Sequence, residues 1–463
     1  MLKPRMWLQG GLLLGVVTVA MADIGVLPNL FPFPNPSGLL ETFSTTGKVD
    51  FTGPFFQSLG TNGRSCATCH QASDAWSVSA AHVAERFEHT QGLDPIFRPN
   101  DGSNCDHNID ISTLHGRRQA YSLLTSRGLI RVALPVPDGA EFEVVSVSNP
   151  YGCNDTSILS MYRRPLPSTN LRFLSTLMWD GRESSTQTGT QPITFSTNPA
   201  DLLSDLKHQS VDATMRHAQA TTPPTTEQQQ RIVAFEMTLS TGQVLDFGAG
   251  PLDRNDASGG PVALVTQPFF IGINDPLGLN PFHTKFDPVI FTLFNNSWAH
   301  SVPHRTSILR GQTLFNSRSI NITGVGGLNE ATGLPLIKGT CGTCHDSPNV
   351  GNHSVSAPLN IGVGDLTTSL DVSYLPVITL RLKSDLTKTI STTDPGRALV
   401  TGKWADIGKL KGPILRGLAA RAPYFHNGSA AGLKEVLEFY DVRFAIGLTD
   451  EEKADLMAFL SAL

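Results

Sequence analysis

The chain contains one short pattern twice: two cysteines separated by two residues and followed at once by a histidine. The residues of the two copies are Cys66, Cys69 and His70, and Cys341, Cys344 and His345. Two thiols at this spacing add to the two vinyl groups of one porphyrin, and the histidine that follows then lies under the iron as its proximal ligand. Each copy therefore predicts a covalently bound haem c.

Two other uses of a Cys-x-x-Cys pair are a zinc site and a thioredoxin-type redox centre. A zinc site needs a second pair nearby, and a redox centre needs a strand-helix-strand context. Neither accompanies the two copies. The sequence favours two haem groups.

The N-terminus predicts export from the cytoplasm. Lys3 and Arg5 precede an apolar run, Leu12 to Ala20, and a small-x-small cleavage site stands before Asp23. We interpret residues 1–22 as a signal peptide, with an uncleaved anchor as the alternative. No later segment has eighteen uninterrupted apolar residues, so no stable membrane span is expected. Export to the periplasm agrees with covalent haem attachment, which takes place outside the bacterial cytoplasmic membrane.

Two cysteines remain outside the two Cys-x-x-Cys-His patterns, which are called haem strings below. Cys105 and Cys153 both lie in turn-rich segments, and the predicted compartment is oxidising. A disulfide between them is the simplest interpretation, and two free buried thiols are the alternative. The formal net charge of −5 gives no reason to expect nucleic acid as a partner.

Hydrophobic periodicity predicts mostly helices separated by loops. We expect a fold that is mainly α, with two tandem cytochrome c-like domains and loop-rich insertions. We expect the first domain to span residues 23–240, with an irregular leader at 23–60 and an insertion at 71–158. A connecting segment, residues 241–300, follows. The second domain is expected to span residues 301–463. The predicted helices are about 79–89, 202–219, 226–239, 306–315, 432–440 and a last one capped by Thr449 and Glu452.

With these motifs in this order, the chain resembles the bacterial di-haem cytochrome c peroxidase family, which includes MauG. The resemblance is based on the two haem strings, Trp179-Asp-Gly-Arg182, Gly412-Pro-Ile-Leu-Arg416, Ala422-Pro-Tyr-Phe-His-Asn-Gly428 and the terminal helix. It implies that the haem of His70 reacts with peroxide and that the haem of His345 relays electrons. It also implies that Trp179 lies between the two haems and conducts electrons.

The sixth ligand of the relay haem departs from the common peroxidase pattern. Peroxidases of the family commonly carry methionine fourteen residues after the histidine of the Pro-Tyr-Phe-His block, whereas MauG carries tyrosine. That count from His426 reaches Tyr440. The resemblance therefore implies Tyr440 as a ligand of the second iron; a tyrosine that only fills the core is the alternative. A phenolate favours ferric iron and lowers the potential, whereas a thioether raises it.

Peroxide cleavage also requires a group that moves a proton. The family uses a glutamine and a glutamate after Trp-Asp-Gly-Arg. The local match here assigns Gln209 to the glutamine position and leaves no glutamate at the expected distance. His217, two helical turns later, is the candidate acid/base. His82 and His89 are alternatives that would instead cap the first iron in a resting state.

The family also binds calcium between its domains, partly through an asparagine and a threonine. Arg164 and Arg421 stand at the matching positions, and cations do not ligate calcium, so we expect this site to be lost or replaced. Arginines there would be suited to holding haem propionates.

The resulting hypothesis is a periplasmic di-haem oxidoreductase that reduces hydrogen peroxide. Its electrons would come from a small periplasmic donor of the cytochrome c or cupredoxin type, and a homodimer is possible. One alternative is MauG-like oxidation of a protein or organic substrate through a high-valent haem. The other is a plain di-haem electron-transfer protein.

Overall fold

The computed structural model describes residues 25–186 and 194–463. The predicted signal peptide, residues 1–22, lies outside the described residues. None of the described helices combines the length and the apolar character that a bilayer span requires.

Fifteen short strands are present in the described residues. They are β1 Val26–Pro28, β2 Phe33–Asn35, β3 Gly38–Ser44, β4 Lys48–Asp50, β5 Ile130–Pro135, β6 Phe142–Ser148, β7 Ile158–Arg163, β8 Ser185–Thr186, β9 Thr194–Phe195, β10 Leu239–Asp246, β11 Gly250–Pro251, β12 Ile320–Thr323, β13 Leu336–Gly339, β14 Val377–Leu382 and β15 Thr389–Thr392.

The α-helices of the same residues are distributed through both halves of the chain. They are α1 Ala80–Thr90, α2 Leu114–Ala120, α3 Ser122–Arg127, α4 Pro199–Arg216, α5 Thr226–Met237, α6 Val262–Thr266, α7 Asn296–Ala299, α8 Pro303–Ser317, α9 Asn329–Thr332, α10 Ala398–Thr401, α11 Leu433–Phe444 and α12 Asp450–Ser461. Short 3₁₀ helices occur at both haem strings, Cys66–Thr68 and Cys341–Thr343.

The fold class predicted from the sequence is wrong. The structure is 31% helical and 17% strand, which makes it a mixed α/β protein rather than a mainly α one. Its largest sheet has four strands in the order β11-β10-β3-β2. There β3 pairs with β10 in antiparallel register, from Leu239 opposite Ser44 to Asp246 opposite Gly38.

The strand β3 also overturns the prediction that residues 23–60 form an irregular leader. Alternate residues of β3 are buried, as in any half-buried strand. The buried positions include Thr42 and Ser44, whose hydroxyls bond to Thr241 at 3.0 Å and to Thr238 at 3.2 Å. Because polar residues occupy the inner face, the usual alternation of apolar and polar residues is not visible in the sequence.

A second sheet connects the predicted insertion to the second half of the chain. Strand β6 pairs with β14, with Phe142 opposite Leu382 and Ser148 opposite Val377, and β15 completes the sheet. The segment 71–158 therefore contains three helices and two strands, ends at the first residue of β7, and is not poor in regular structure.

The predicted helices are present, with ends shifted by a few residues. In α12 the side chain of Thr449 accepts from the backbone N–H of Glu452 at 3.2 Å, and the Glu452 carboxylate accepts from the N–H of Thr449 at 2.9 Å. This capping box was predicted. Helices α8 and α12 pack tightly at Gly311, where an added Cβ would lie 2.0 Å from the carbonyl oxygen of Asp455. Phe291, Phe315 and Phe459 fill the core around this contact.

Candidate functional site

Both haem strings form the same local structure. In each, a threonine at the third position caps the turn: Thr68 Oγ1 accepts from the N–H of Ser65, and Thr343 Oγ1 accepts from the N–H of Thr340, each at 3.0 Å. The shared threonine holds the two cysteines of each string on one short 3₁₀ helix. None of the four cysteines forms a disulfide with another described cysteine. They are therefore available for bonds to a porphyrin.

The histidine of each string is oriented by its Nδ1 atom. His70 Nδ1 lies 2.9 Å from the carbonyl of Trp76 and 3.0 Å from Ser168 Oγ, and His345 Nδ1 lies 2.8 Å from the carbonyl of Gly351. When Nδ1 donates to a carbonyl, Nε2 keeps its lone pair for a metal. Burial lowers the pKa of His70 to about 4 and also lowers that of His345. Both imidazoles are thus neutral, as ligation requires.

A cavity adjoins each string. The first cavity, of about 340 Å³, is lined by Cys66, Cys69 and His70. The second, of about 230 Å³, is lined by Cys341, Cys344 and His345. Two cysteines outside any disulfide, a neutral imidazole and an adjoining cavity at each string fit a haem c group.

The two cavities share a wall. Residues that line both are Arg164, Pro165, Leu166, Trp179, Lys411 and Pro413. Lys411 donates from Nζ to the carbonyl of Thr176 at 2.9 Å, and burial lowers its pKa to about 7. The sequence-predicted residue Trp179 lies in this wall, where its ring centroid is 6.1 Å from that of His426.

A buried ionic network lies next to Trp179. Arg163 bonds to Asp180 at 2.5 Å and to both carboxylate oxygens of Asp394 at 2.7 and 2.8 Å. Arg182 also bonds to Asp180, at 2.9 Å. Although burial raises the pKa of Asp180, Arg182 and Arg163 lower it more, and the net pKa is far below its usual value. The network joins the Trp-Asp-Gly-Arg segment to the loop before α10. The sequence analysis did not identify Arg163 or Asp394.

Gln209 and His217 both line the first cavity, with His70. His217 Nδ1 is hydrogen-bonded to Asp101 Oδ2, and Arg64 bonds to the other oxygen of the same carboxylate. Burial raises the pKa of Asp101, but His217 and Arg64 lower it more, so the carboxylate stays ionised. A single buried carboxylate therefore orients the candidate acid/base. Asp101 was missed because 116 residues separate it from His217.

Two glutamates that line the first cavity were also missed. Glu183 accepts from His208 Nδ1 at 2.6 Å, and burial raises its pKa. Glu236 is almost fully buried near Ser168, the residue whose hydroxyl contacts His70, and burial raises its pKa to about 8. In the sequence, Glu236 directly follows Ala234-Phe235 of α5, and no nearby motif indicates that its side chain lines a cavity.

Tyr440 lies on α11 and lines the second cavity. Its ring centroid is 6.5 Å from that of His345, and the two rings are nearly perpendicular. Burial raises the pKa of the phenol above its usual value. Tyr440 and His345 thus lie on the same cavity, as a ligand pair would, and the sixth-ligand assignment remains a prediction.

Arg164 and Arg421, at the family's calcium positions, are both buried. Arg164 donates to the carbonyls of Arg127 at 2.7 Å and Arg421 at 2.8 Å, and Arg421 donates to the carbonyl of Arg416 at 3.2 Å. Burial lowers the pKa of each guanidinium to about 10. Among the described residues neither forms an ion pair with a carboxylate, and both line the second cavity.

The remaining predicted residues lie outside the two cavities. Cys105 and Cys153 are joined by a disulfide, with their Cα atoms 5.7 Å apart. His82 bonds through Nδ1 to Asp74 at 2.6 Å, and His89 is exposed on α1. Within the part of the chain that the structure describes, neither histidine lines the first cavity.

No family model matches the chain. Curated relatives match parts of it. The cytochrome-c peroxidase IdrP1 of Denitromonas iodatirespirans is 40% identical over 81 residues, 15% of this chain and 22% of that protein. IdrP1 of Pseudomonas sp. (strain SCT) is 30% identical over 154 residues, 29% of this chain and 40% of that protein. Cytochrome c551 peroxidase of Nitrosomonas europaea is 30% identical over 139 residues, 29% of this chain and 34% of that protein. The chain thus spans less than half the length of these relatives.

Two solved structures overlap with most of the chain at low similarity. A MauG-like protein associated with microbial copper homeostasis is 16% identical, with a TM-score of 0.36 over 89% of this chain and 87% of that one. A variant of the diheme peroxidase BthA from Burkholderia thailandensis is 13% identical, with a TM-score of 0.29 over 94% of each chain. Both TM-scores are too low to define the fold of this chain.

Proposed function

We propose that this chain belongs to the bacterial di-haem cytochrome c peroxidase and MauG family and is an oxidoreductase with two covalently bound haem c groups. We further propose that it works in the periplasm and reduces hydrogen peroxide at the haem of His70. The observation that carries the proposal is the pair of cavities, one at each haem string, that share a wall containing Trp179. Residues 23–240 and 301–463 would each hold one haem.

The contrast between the two cavities supports the assignment of peroxide to the first. The wall of the first cavity carries charged side chains, among them Arg64, Asp101, Arg182, Glu183, Asp212 and His217. Aliphatic and aromatic residues dominate the second, among them Phe315, Ile320, Ile322, Leu437, Phe444 and Leu456. A polar substrate whose reduction consumes protons fits the first cavity, and a haem that only exchanges electrons fits the second.

Bound haem would supply the iron at which the O–O bond of peroxide is broken, and the two haems would pass on the electrons that the donor provides. Reduction of one hydrogen peroxide to two waters takes up two protons and two electrons. We assign His217 to the proton movement, since Asp101 holds its Nδ1 and leaves Nε2 to exchange a proton. About a third of its side chain, 37%, is exposed, so it can recover protons from solvent. Gln209 would orient the substrate by hydrogen bonds.

Trp179 would be the path for electrons between the two haems. Its position in the shared wall and its hydrogen bond to the backbone of Arg164 at 2.7 Å hold the indole in one orientation. Electrons would enter from a small periplasmic cytochrome c or cupredoxin. The arginines at the calcium positions, Arg164 and Arg421, would hold haem propionates in place of a calcium ion.

Tyr440 supports a second candidate function, the MauG-like oxidation of a protein or organic substrate. A phenolate ligand would make the second haem a poor acceptor of electrons from ordinary donors. Substrate oxidation would then replace the intake of electrons from a donor protein. Consumption of peroxide with a reduced cytochrome as the electron source would favour the first function over this one.

The visible and EPR spectra of the ferric holoprotein, before and after one equivalent of hydrogen peroxide, test both candidates. We expect one high-spin haem beside one low-spin haem, with the high-spin signal consumed by peroxide. Two low-spin haems that do not respond to peroxide, even after partial reduction, would instead identify a plain electron carrier.

A further inference from the structure

Three buried side chains with metal-ligating atoms meet beside the second cavity, and one of them, His353, also lines that cavity. They are Asp275, Asp346 and His353, and one ligating atom from each lies within 4.8 Å of those of the other two. The exposed fractions of the three residues are 2%, 0% and 4%. Two carboxylates and an imidazole are thus collected in the interior of the protein.

The carboxylates have no cationic partner. Among the ion pairs of residues 25–186 and 194–463, none joins Asp275 or Asp346 to a lysine or an arginine. Buried charges are otherwise paired or bound to a metal, because removing a carboxylate from water without compensation costs several kcal/mol. The cluster therefore lacks positive charge.

Unused ligand atoms point to the same conclusion. Asp346 Oδ1 accepts from the backbone N–H of Ser354 at 2.6 Å, but Oδ2 accepts no hydrogen bond from a described residue. Neither ring nitrogen of His353 is hydrogen-bonded, although Nε2 lies 2.9 Å from Asp346 Oδ2. This contact is short but lacks hydrogen-bond geometry. Neighbouring ligands of one ion need no such alignment, and the tetrahedral angles and bonds of about 2.1 Å usual for zinc put two ligand atoms about 3.4 Å apart, close to this separation.

The third ligand is held in place by its own loop. Asp275 accepts from the backbone N–H groups of Leu277 and Leu279, at 3.1 and 2.6 Å. Each of its oxygens keeps a lone pair for a metal. The neighbouring Asn274 donates to the carbonyl of Asp346 at 3.1 Å, so the loop and the second haem string are already in contact.

We propose that Asp275, Asp346 and His353 bind one divalent first-row transition metal ion. The ion neutralises the two carboxylates and joins the loop that carries Asp275 to the residues that follow His345. Imidazole favours ions such as Zn²⁺ and Fe²⁺, and carboxylates complete such sites, whereas Ca²⁺ takes six to eight oxygen ligands. The site is independent of peroxide chemistry, so it can be tested apart from the proposed function.

The test uses Zn²⁺ as the probe and the holoprotein, purified without a polyhistidine tag, with both haems attached. After treatment with a chelator, the protein is titrated with Zn²⁺, and bound zinc is counted against haem iron by mass spectrometry. We expect one zinc ion per chain, and a higher midpoint of thermal unfolding in its presence. No bound zinc in the unmodified protein would overturn the proposal without any variant.

Variants then assign the ligands. Asp275→Asn and His353→Gln should each weaken zinc binding by at least roughly tenfold, with both haems still attached. Asp287→Asn is the matched control, since it removes the same charge from an exposed position of the same connecting segment. Unchanged zinc affinity in both ligand variants, or preference for Ca²⁺ over Zn²⁺, would contradict the site. If one ligand variant does not fold, the other decides.

Discussion

Trp179 donates its indole N–H to the backbone carbonyl of Arg164 over 2.7 Å, and both residues line both cavities. This bond fixes an aromatic ring in the wall between the two haem strings. The ring centroid of His426 lies 6.1 Å from that of the indole, and the next residue in the chain, Asp180, is held by Arg163. The indole is therefore suited to a role in electron transfer that depends on its position.

Trp179→Phe should leave both haems attached and slow electron transfer between them, because phenylalanine is harder to oxidise and cannot donate to Arg164. Rapid-mixing spectroscopy of the half-reduced protein measures this rate. Trp404→Phe is the control, since Trp404 lines neither cavity among the described residues. Equal transfer rates in the two variants would remove Trp179 from the electron path.

His217→Gln should reduce the rate of peroxide consumption by about 10²- to 10⁴-fold, the usual contribution of an acid/base group. Asp101→Asn should cause a smaller loss, because it leaves the imidazole in place but no longer orients it. Stopped-flow loss of the high-spin signal gives the rate. His300→Gln, at an exposed position, should match the unmodified protein. Full activity in His217→Gln would assign proton movement to another group.

Tyr440→Met should raise the reduction potential of one haem by on the order of 100 mV, within the range of about 0.8 V over which axial ligands set haem potentials. The reason is that a thioether stabilises ferrous iron more than a phenolate does. Spectroelectrochemical titration resolves the two haems. Tyr151→Met, outside both cavities as described, controls for the added sulfur. An unchanged potential would mean that Tyr440 only fills the core.

Because of Glu236, we expect the free energy of unfolding of the protein to fall as pH rises. Burial raises its pKa from 4.5 to about 8, so between these values the folded state keeps a proton that the unfolded state has lost. The free energy of unfolding then falls as pH increases through this window. Glu236→Gln should flatten this part of the profile, measured by denaturant unfolding at several pH values. Glu227→Gln, exposed on the same helix, should leave the slope as it is.

Replacing Cys105 or Cys153 by serine should lower the free energy of unfolding by about 2–5 kcal/mol, because the disulfide closes a long loop in the unfolded chain. Denaturant unfolding of each single variant and of the double variant measures the loss. The three losses should agree, since each variant removes the same bond. Stability equal to that of the unmodified protein would show that the bond does not constrain the unfolded state.

The features that the sequence determined by itself are those in which a few consecutive residues carry the chemistry. Each haem string is complete within five residues, and the helix α12 is marked by Thr449 and Glu452 together with its apolar face. In each case the interacting atoms are close in the chain, so their arrangement follows from local geometry.

Only the tertiary structure decided the fold class and most of the surroundings of the haem strings. Strands β3 and β10 are separated by almost 200 residues, and their buried threonines give no apolar alternation to reveal them. Asp101 reaches His217, Arg163 reaches Asp394, and Asp275 reaches Asp346 and His353 only after the chain has folded. A single charged residue in a loop has no periodicity or spacing that identifies its partner. Such contacts depend on how distant segments pack against each other, and no short stretch of sequence indicates that packing.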